Sequence, residues 1–481
     1  MEKRKGAWII ILIIIVAIIT RLIFLDLRPL HHDEGVNYFF TNGIFETGSF
    51  KYDPLNYHGP SYFFILFLSL LMFGVSEFSL RLPAAIFGIF LVFFPLLFRL
   101  NSGYNKYLAA GFILLSPSIM YYSRYSIHES LFILVGLVAV YSLTKILENK
   151  NLESLPVFAI ALAFLFVTKE TAIIMAFVLF VICCVNYKHF WEIKFKENKN
   201  LILFSILLFI LIYVLFFTSF FTNTGGLSDS VKGYLPWTER GLKEPGHIKP
   251  FYYYLLILIK YEFPLFLLSL FGIVFTFIYR RKDIFARNIV IWFVLIFFIY
   301  SLINYKTPWL IVNMSLPMAI LSSIAVGFIK NRRLRNILLI ISFAYLILTS
   351  VFVNFIMPGQ PKTQSSHINI KSLFEPTNLY AYVHTYPDIF NLADDINKKY
   401  KEGNKILIVS DSYWPLPFYL HGERIEYLEE VDKISYRDYN NYDIYILKDS
   451  VFSNSDLPLG FSAKEYELRE GVKLYLVYKN D

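Results

Sequence analysis

The chain has 481 residues, of which 56% are hydrophobic and 19% aromatic, and this apolar fraction excludes an ordinary water-soluble domain. The formal net charge of +8 does not indicate nucleic-acid binding, because the basic residues are spread over short segments between apolar runs. The two cysteines, Cys183 and Cys184, are adjacent within one apolar run, which excludes a disulfide framework and a zinc knuckle.

Apolar runs of roughly 15 to 22 residues recur from Trp8 to about Met357, and this length matches the hydrocarbon thickness that a helix must cross. The first run is longer than the apolar part of a secretory signal, and no small-residue cleavage pattern follows it. We interpret it as a retained first span. Lys and Arg cluster in alternate loops, which predicts a cytoplasmic N-terminus and an extracytoplasmic C-terminus.

The loops predicted to face outward lie between the basic loops, at 26–83, 122–130, 168–171, 222–250 and 304–309. Three apolar runs separate the Asp33-Glu34 segment of the first outer loop from Arg124 in the second. Three crossings would put these two segments on opposite faces of the membrane. The run at 62–75 is the shortest, so we expect an interfacial or re-entrant helix there. About eleven spans remain, at approximately 7–25, 84–99, 107–121, 131–147, 155–168, 171–187, 201–221, 255–279, 289–304, 310–329 and 337–357.

From about residue 359 the composition becomes mixed, and a helical stretch near 388–401 precedes strand-like runs at 405–410, 442–447 and 472–478. The pattern predicts a polytopic α-helical membrane domain at 1–357 and a small extracytoplasmic α/β domain at 358–481.

The first outer loop contains the sequence His31-His32-Asp33-Glu34, directly after the first span. A carboxylate at a dehydrating interface acts as a general base on an acceptor hydroxyl, and Asp33 and Glu34 are the candidates. A solvated acidic loop is the alternative. His32 and Asp33 are also of the types that bind a divalent metal ion, although no spacing to further ligands is fixed.

Two further segments of this loop carry candidate groups. In His58-Gly-Pro-Ser-Tyr62, Gly-Pro predicts a turn that begins the short helix, and His58 either binds a phosphate or acceptor or caps the turn. In Arg81-Leu-Pro83, the proline is expected to open a helix at its first position, and Arg81 is expected either to bind substrate or to snorkel toward the interface.

The second outer loop contains Arg124, His128 and Glu129. In a continuing helix, Arg124 and His128 would share one face at spacing i,i+4, with Glu129 next to them.

Lys169 and Glu170 interrupt an apolar stretch, and either form a self-satisfied pair in a tight turn or supply a cation for a lipid phosphate. Lys306, close to the interfacial Trp309, is a second candidate phosphate contact. The long loop at 222–250, which includes Glu244-Pro-Gly-His247, either covers a substrate or is an ordinary structured loop.

The order of these motifs resembles the GT-C glycosyltransferases of the protein-O-mannosyltransferase and aminoarabinose-transferase superfamily. The resemblance runs over roughly residues 20–175. It includes Asp33-Glu34, the stretch ending at Pro83, Ser-Arg124-Tyr with Glu129, and Thr-Lys169-Glu. Together with Tyr-Lys306-Thr-Pro-Trp and the segments 382–388 and 413–419, the motifs resemble the archaeal and bacterial flippase-activity-associated protein subfamily.

The resemblance implies inverting transfer of a sugar from a polyprenyl-phosphate lipid, with Asp33 as the base, or its helper, on the acceptor hydroxyl and Lys169 on the donor phosphate. It also implies a membrane-embedded donor lipid and a glycan, lipid or protein acceptor as partners. His58 and Glu170 depart from the aminoarabinose transferases, which have Lys and often Gly there, so donor and acceptor handling is expected to differ. A lipid-linked sugar flippase and a non-catalytic glycan-assembly subunit are the alternative functions. The flippase would require paired broken helices in two related halves, and no internal repeat is found.

Overall fold

A computed structural model describes residues 2–56, 58–98, 104–243, 248–357, 373, 378–428, 442–452, 457 and 460–480. These residues divide into two compact units. The first unit comprises the described residues of 2–25 and 41–356, and the second comprises those of 26–40 and 378–480, with residue 357.

The helices, in chain order, are α1 (Glu2–Leu22), α2 (His32–Thr47), α3 (Pro60–Phe73), α4 (Glu77–Leu97), α5 (Lys106–Leu115), α6 (Pro117–Tyr122), α7 (Glu129–Asn149), α8 (Leu155–Thr168), α9 (Ala172–Val185), α10 (Tyr187–Trp191), α11 (Lys199–Phe217), α12 (Gly226–Lys232), α13 (Tyr234–Lys243), α14 (Tyr253–Tyr261), α15 (Phe263–Tyr279), α16 (Ile284–Leu302), α17 (Val312–Phe328), α18 (Arg332–Val351), α19 (Asp388–Lys401) and α20 (Leu416–Tyr419). Short 3₁₀ turns precede α11 and α17, and a π-helical turn, Phe352–Ile356, follows α18.

The chain is a polytopic helical membrane protein. Among the described residues, six helical segments are long and apolar enough to cross a bilayer, and α14 with α15 forms a seventh candidate that bends by 109°. Helices α3, α8 and α9 have 14 residues each, which is about 21 Å at 1.5 Å per residue. That length is short of the roughly 30 Å hydrocarbon core. The predicted count of eleven spans and the predicted orientation therefore stay predictions.

Helix α17 is the centre of the first unit. It packs against α15, α16 and α5, and all its residues from Val312 to Val326 are buried. Helices α11 and α18 are the opposite case, since few of their apolar side chains are buried in the protein. Apolar side chains that face away from the protein match lipid, so α11 and α18 form part of the surface that contacts the bilayer.

Helix α4 begins earlier than the sequence predicted. Ser76 caps it, its side chain accepts a bond from the Ser79 backbone N–H, and Ser79 bonds back to the Ser76 backbone. This reciprocal capping box satisfies two N–H groups that a helix start leaves without partners. The prediction that Pro83 opens the helix is wrong, because Pro83 lies inside it.

The second unit contains a mixed five-stranded sheet, in the order β2-β1-β3-β5-β4. The strands are β1 (Ile406–Val409), β2 (Glu426–Leu428), β3 (Ile444–Lys448), β4 (Phe461–Arg469) and β5 (Val472–Lys479). Strand β1 is parallel to β2 and β3, whereas β5 is antiparallel to β3 and β4.

Helix α19 covers one face of this sheet. Its buried residues Ile389, Leu392, Ala393 and Ile396 follow the spacing i, i+3, i+4, i+7 of one helix face, and they pack on residues of β1, β3 and β5. The other face has its own buried cluster, including Tyr445 and Phe452. The predicted small α/β domain is therefore confirmed, and α19 has the predicted bounds.

Candidate active site

Three loops of the first unit come together at the ends of α3, α7 and α8. His58 pairs with Lys169 in an isolated antiparallel bridge, and the Gly59 N–H donates to the Thr168 carbonyl at 3.2 Å. A Cβ atom on Gly59 would overlap the Val167 carbonyl, so only glycine permits this approach. Pro60 then begins α3, as the Gly-Pro pair predicted. We call residues 58–62, 123–129 and 168–171 the loop cluster.

A buried ion pair lies at the centre of the loop cluster. The Lys169 ammonium donates to Oε1 of Glu129, and the exposed fractions of the two side chains are 7% and 3%. Glu129 is the first residue of α7, where the positive end of the helix dipole favours a carboxylate. Removing two charges from water is costly unless they pair, so each residue depends on the other.

Glu170 has a different partner. Its Oε2 lies 3.2 Å from Nδ1 of His58, and the neighbouring Ser61 and Thr168 hydroxyls are 2.8 Å apart. The expectation of a self-satisfied pair between Lys169 and Glu170 is wrong, because each side chain bonds to a residue of another loop.

His128 is buried among the rings of His58, Tyr62 and Phe63, at centroid distances of 4.8, 4.7 and 5.2 Å. Within the described part of the chain, its Nε2 atom is buried without a hydrogen-bond partner. Burial, together with the nearby His58 and Lys169, holds the pKa of His128 well below its usual value. The ring is therefore neutral at physiological pH, and one polar atom remains available to a ligand. The Tyr62 hydroxyl lies 3.3 Å from that of Ser126.

The two predicted arginines hold helix ends. Arg124 donates to the carbonyls of Thr20, Arg21, Ile23 and Phe24, which follow or end α1. Helix ends leave carbonyls without partners and carry a partial negative charge, so a guanidinium is well suited to cap them.

Arg81 donates to the Leu25 carbonyl at 2.9 Å and is fully buried. The expectation that Arg81 snorkels is therefore wrong. Residues 123–128 form turns and bends between α6 and α7, so the continuing helix in which Arg124 and His128 would share a face is not present.

Lys306 does not lie in the loop cluster. It lies where the segments around Lys249 and Asn304 meet, and there the Lys249 N–H donates to the Asn304 carbonyl at 3.2 Å. The buried Lys306 ammonium donates to the carbonyls of Lys249 and Ile303, and burial lowers its pKa. In the long outer loop, residues 244–247 lie outside the described residues. Tyr57, which precedes His58 in the first outer loop, also lies outside them.

The segment that carries Asp33 lies in the second unit. Glu34 is fully buried, and its carboxylate accepts the His31 backbone N–H at 2.8 Å, which satisfies one N–H group at the start of α2. The Nδ1 atom of His31 accepts the Asp33 backbone N–H at 3.1 Å, and its Nε2 contacts the Tyr382 carbonyl. Among the described residues, nothing hydrogen-bonds to or forms an ion pair with the half-exposed Asp33 carboxylate.

Arg469 is a cation that contacts this segment, and the sequence did not identify it. It lies at the end of β4, and its Nη1 is 3.4 Å from Nδ1 of His32. Burial lowers the pKa of the guanidinium to about 10, while the charges of Asp33 and Asp411 oppose the shift. The subfamily segments 382–388 and 413–419 both border the Asp33 segment, through the Tyr382 carbonyl and Trp414.

A metal site at His32 and Asp33 stays a prediction. The part of the chain that the structure describes has no group of three or more His, Cys, Asp or Glu side chains arranged to hold a metal ion. Arg469 also occupies one ring nitrogen of His32, and a guanidinium repels a divalent cation. No step proposed below uses a metal.

Glu262 is a second functional candidate that the sequence analysis missed. It is fully buried at the break between α14 and α15, and it accepts bonds from Ser116 and from the backbone and side chain of Ser118, at 2.6 to 2.9 Å. It therefore joins this break to the one between α5 and α6. An acidic residue within an apolar run was the available signal.

The sequence and the fold are similar to those of known proteins. Residues 57–221, which contain the loop cluster, match the family model described as dolichyl-phosphate-mannose-protein mannosyltransferase. The crystal structure of ArnT from Cupriavidus metallidurans bound to undecaprenyl phosphate is 14% identical, covers 98% of each chain and has a TM-score of 0.67. The apo ArnT structure is 13% identical, covers 98% of each chain and has a TM-score of 0.65. No curated protein matches the sequence.

The chain therefore has the fold of ArnT, and the predicted resemblance to the GT-C glycosyltransferase superfamily is confirmed. The narrower subfamily stays a prediction.

Proposed function

We propose that this chain is a membrane glycosyltransferase that transfers a sugar, with inversion, from a polyprenyl-phosphate donor to an acceptor hydroxyl on the outer face. The observation that carries the proposal is that the matched stretch, 57–221, contains the loop cluster with its buried Lys169–Glu129 pair. The undecaprenyl phosphate bound to ArnT supports a lipid phosphate as the leaving group.

Lys169 is proposed to stabilise the donor phosphate. A polyprenyl phosphate leaves as a stable anion, so the reaction requires a nearby cation more than a strong general acid. Glu129 holds the Lys169 ammonium in place, and in this role it positions the cation. The neutral His128 ring, with its unpartnered Nε2, and the neighbouring His58, Tyr62 and Glu170 are proposed to contact the donor.

Asp33 is proposed as the general base, because its carboxylate has no hydrogen-bond or ion-pair partner in the described part of the chain. The acceptor oxygen attacks the anomeric carbon and its proton passes to Asp33, while the bond from that carbon to the phosphate oxygen breaks. The bonding electrons leave on the polyprenyl phosphate. Glu34, Arg81 and Arg124 are proposed to have structural roles, since each satisfies backbone groups at a helix end.

Lys306 is retained as a candidate donor contact of lower rank, because its ammonium already donates to two backbone carbonyls.

The test of this function uses the purified full-length protein in lipid nanodiscs. Undecaprenyl phosphate carrying a radiolabelled hexose is the donor, and membrane glycolipid or peptide is the acceptor. Lys169→Met is expected to reduce kcat about 10²- to 10³-fold, the cost of removing one stabilising donor from a transition state. Lys194→Met is the control, because Lys194 is exposed and, among the described residues, its side chain pairs only with Glu197. Equal kcat for the two variants would contradict the assignment, and lipid movement across the bilayer without transfer would favour the flippase.

A further inference from the structure

Arg469 occupies a costly position in the second unit. It is the last residue of β4, it pairs with Val472 of β5, and the register of the two strands shifts between Glu467 and Arg469. Such irregularities redirect a side chain. Only 6% of Arg469 is exposed, whereas Lys464 and Lys473 of the same hairpin are exposed and pair with carboxylates. A guanidinium buried at this cost requires partners that compensate for lost water.

Those partners belong to two different segments. The Nη2 group donates to the carbonyls of Ser412 and Trp414, at 3.0 and 2.7 Å, in the turn after β1. The Nη1 group faces Nδ1 of His32 at 3.4 Å, at the start of α2. The planar guanidinium donates in fixed directions, so it joins the turn after β1 to the residue that precedes Asp33.

The same turn packs directly on α2. A Cβ atom on Gly35 would lie 2.7 Å from Cα of Pro415, so the helix backbone rests on the Trp414–Pro415 segment. Two further contacts hold the segment nearby, from the Leu30 N–H to the Tyr419 hydroxyl at 2.8 Å and from His31 to the Tyr382 carbonyl. The backbone on both sides of Asp33 is therefore fixed, while its carboxylate has no hydrogen-bond or ion-pair partner among the described residues.

We propose that Arg469 is a positioning residue, through which the C-terminal sheet domain fixes the direction of the Asp33 carboxylate by holding His32 and the Ser412–Trp414 turn. This inference rests on the proposed function of Asp33. It gives the C-terminal domain a role in the reaction rather than in folding alone. Arg469 itself does not touch the reacting atoms.

The kinetic test uses the full-length protein and the transfer assay described above. Arg469→Met is expected to lower kcat about 10- to 100-fold with little change in donor KM, because misplacing a catalytic group costs rate more than binding. Arg469→Lys is not expected to restore kcat, since a lysine keeps the positive charge but lacks the planar set of N–H donors of the guanidinium. Lys464→Met, on the same strand, is the control. Full rescue by lysine, or an unchanged kcat for Arg469→Met, would overturn the proposal.

A double-mutant cycle with Asp33→Asn separates positioning from a general structural role. If Arg469 acts through Asp33, then Arg469→Met lowers kcat much less in the Asp33→Asn background than in the wild type. Losses that multiply in full would overturn the proposal. If Arg469→Met does not fold, His32→Phe replaces it, because His32 is half-exposed. An unchanged kcat for His32→Phe would then count against positioning.

Hydrogen exchange tests the positioning without any sugar transfer. In Arg469→Met, the backbone amides of residues 30–35 are expected to exchange about 10-fold faster or more, because local opening has lost one constraint. The same amides in Lys464→Met are expected to match the wild type. Equal exchange in all three proteins would overturn the proposal. If the wild type transfers no sugar but the amides of residues 30–35 exchange faster in Arg469→Met, the proposed function fails. The contacts through which Arg469 holds this segment are then still supported.

Discussion

The two units differ in how the charged groups proposed to act in the reaction are buried and paired. In the first unit, Lys169 and Glu129 are almost completely buried and neutralise each other. In the second unit, Asp33 is half-exposed, and within the described residues no group bonds to its carboxylate. A buried pair is held in place by its own attraction, whereas an unpaired carboxylate contributes little to folding and remains available to a substrate. Mutations should therefore separate stability from activity differently in the two units.

Three buried arginines of the first unit have a different kind of partner from that of Lys169. Arg21, Arg81 and Arg124 all donate to carbonyls at or just beyond helix ends, and Lys169 pairs with a carboxylate instead. A guanidinium has five donors in a planar fork, which suits several carbonyls at once, whereas an ammonium is a compact point charge. The contacts thus favour structural roles for the arginines and leave Lys169 as the candidate for a phosphate.

The largest expected effect is on transfer by Asp33→Asn. Removing the general base should lower kcat about 10²- to 10⁴-fold. Because the carboxylate has no hydrogen-bond or ion-pair partner in the described structure, the apparent Tm should stay within about 2 °C of the wild type. Steady-state transfer assays and thermal unfolding in detergent measure the two quantities. Asp229→Asn, at a partly exposed residue paired with the exposed Lys232, is the control. A large loss of Tm with Asp33→Asn would remove the contrast between the units.

In contrast to Asp33→Asn, Glu129→Gln is expected to cause a large loss of stability. It leaves the Lys169 ammonium buried without its counter-ion, which costs about 3–5 kcal/mol. Unfolding in detergent compares it with Glu197→Gln, whose carboxylate is in an exposed pair. Partial recovery of Tm in the double variant Glu129→Gln/Lys169→Met would confirm that the cost comes from the unpaired charge. If Glu129→Gln is as stable as the wild type, the pair is not structural.

Arg124→Met should weaken the end of α1. Hydrogen bonds that involve a charged donor are each worth about 1.5–3 kcal/mol, and Arg124 donates to four carbonyls. We expect a loss of at least about 2 kcal/mol, with donor KM unchanged in the protein that remains folded. Arg332→Met, at the exposed start of α18, controls for loss of charge. A rise in donor KM without loss of stability would instead make Arg124 a phosphate contact.

The smallest expected effect is a pH dependence of stability from His128. Its pKa is depressed in the folded chain, so below about pH 6.5 the unfolded chain binds a proton that the folded chain does not. This group therefore lowers stability as the pH falls below 6.5, by up to about 1.4 kcal/mol per pH unit, and has no effect above pH 7. Thermal unfolding between pH 5 and pH 7.5 should show a smaller pH dependence for His128→Phe than for the wild type. Identical pH profiles would contradict the buried, neutral ring.

Much of the architecture was accessible from composition and periodicity. Long apolar runs predicted the membrane helices, and a helical stretch at 388–401 followed by strand-like runs at the positions of β1, β3 and β5 predicted the sheet domain. Strand β4 was missed because its sequence, FSAKEYELR, mixes charged and apolar residues and is half exposed. Strand β2 has three residues and gives almost no periodic signal.

The site was predictable as a set of residues but not as a set of contacts. Motif order identified Lys169, Glu129 and His58, but spacing along the chain gave no means to assign Glu129 rather than Glu170 to Lys169. Arg469 was missed together with the strand that carries it. The cap formed by Glu34 depends on where α2 begins, and helix boundaries are the least certain part of sequence interpretation.

The most direct test of the account follows the sugar from donor to acceptor in one reaction. Purified wild-type protein in nanodiscs receives undecaprenyl phosphate linked to a ¹³C-labelled sugar of known anomeric configuration, together with a hydroxyl acceptor. The account predicts that NMR detects the sugar on the acceptor with the opposite anomeric configuration, one undecaprenyl phosphate released per transfer, and product formation at least about 10²-fold slower with Asp33→Asn. Retention of configuration, or equal transfer by wild type and Asp33→Asn, would contradict it.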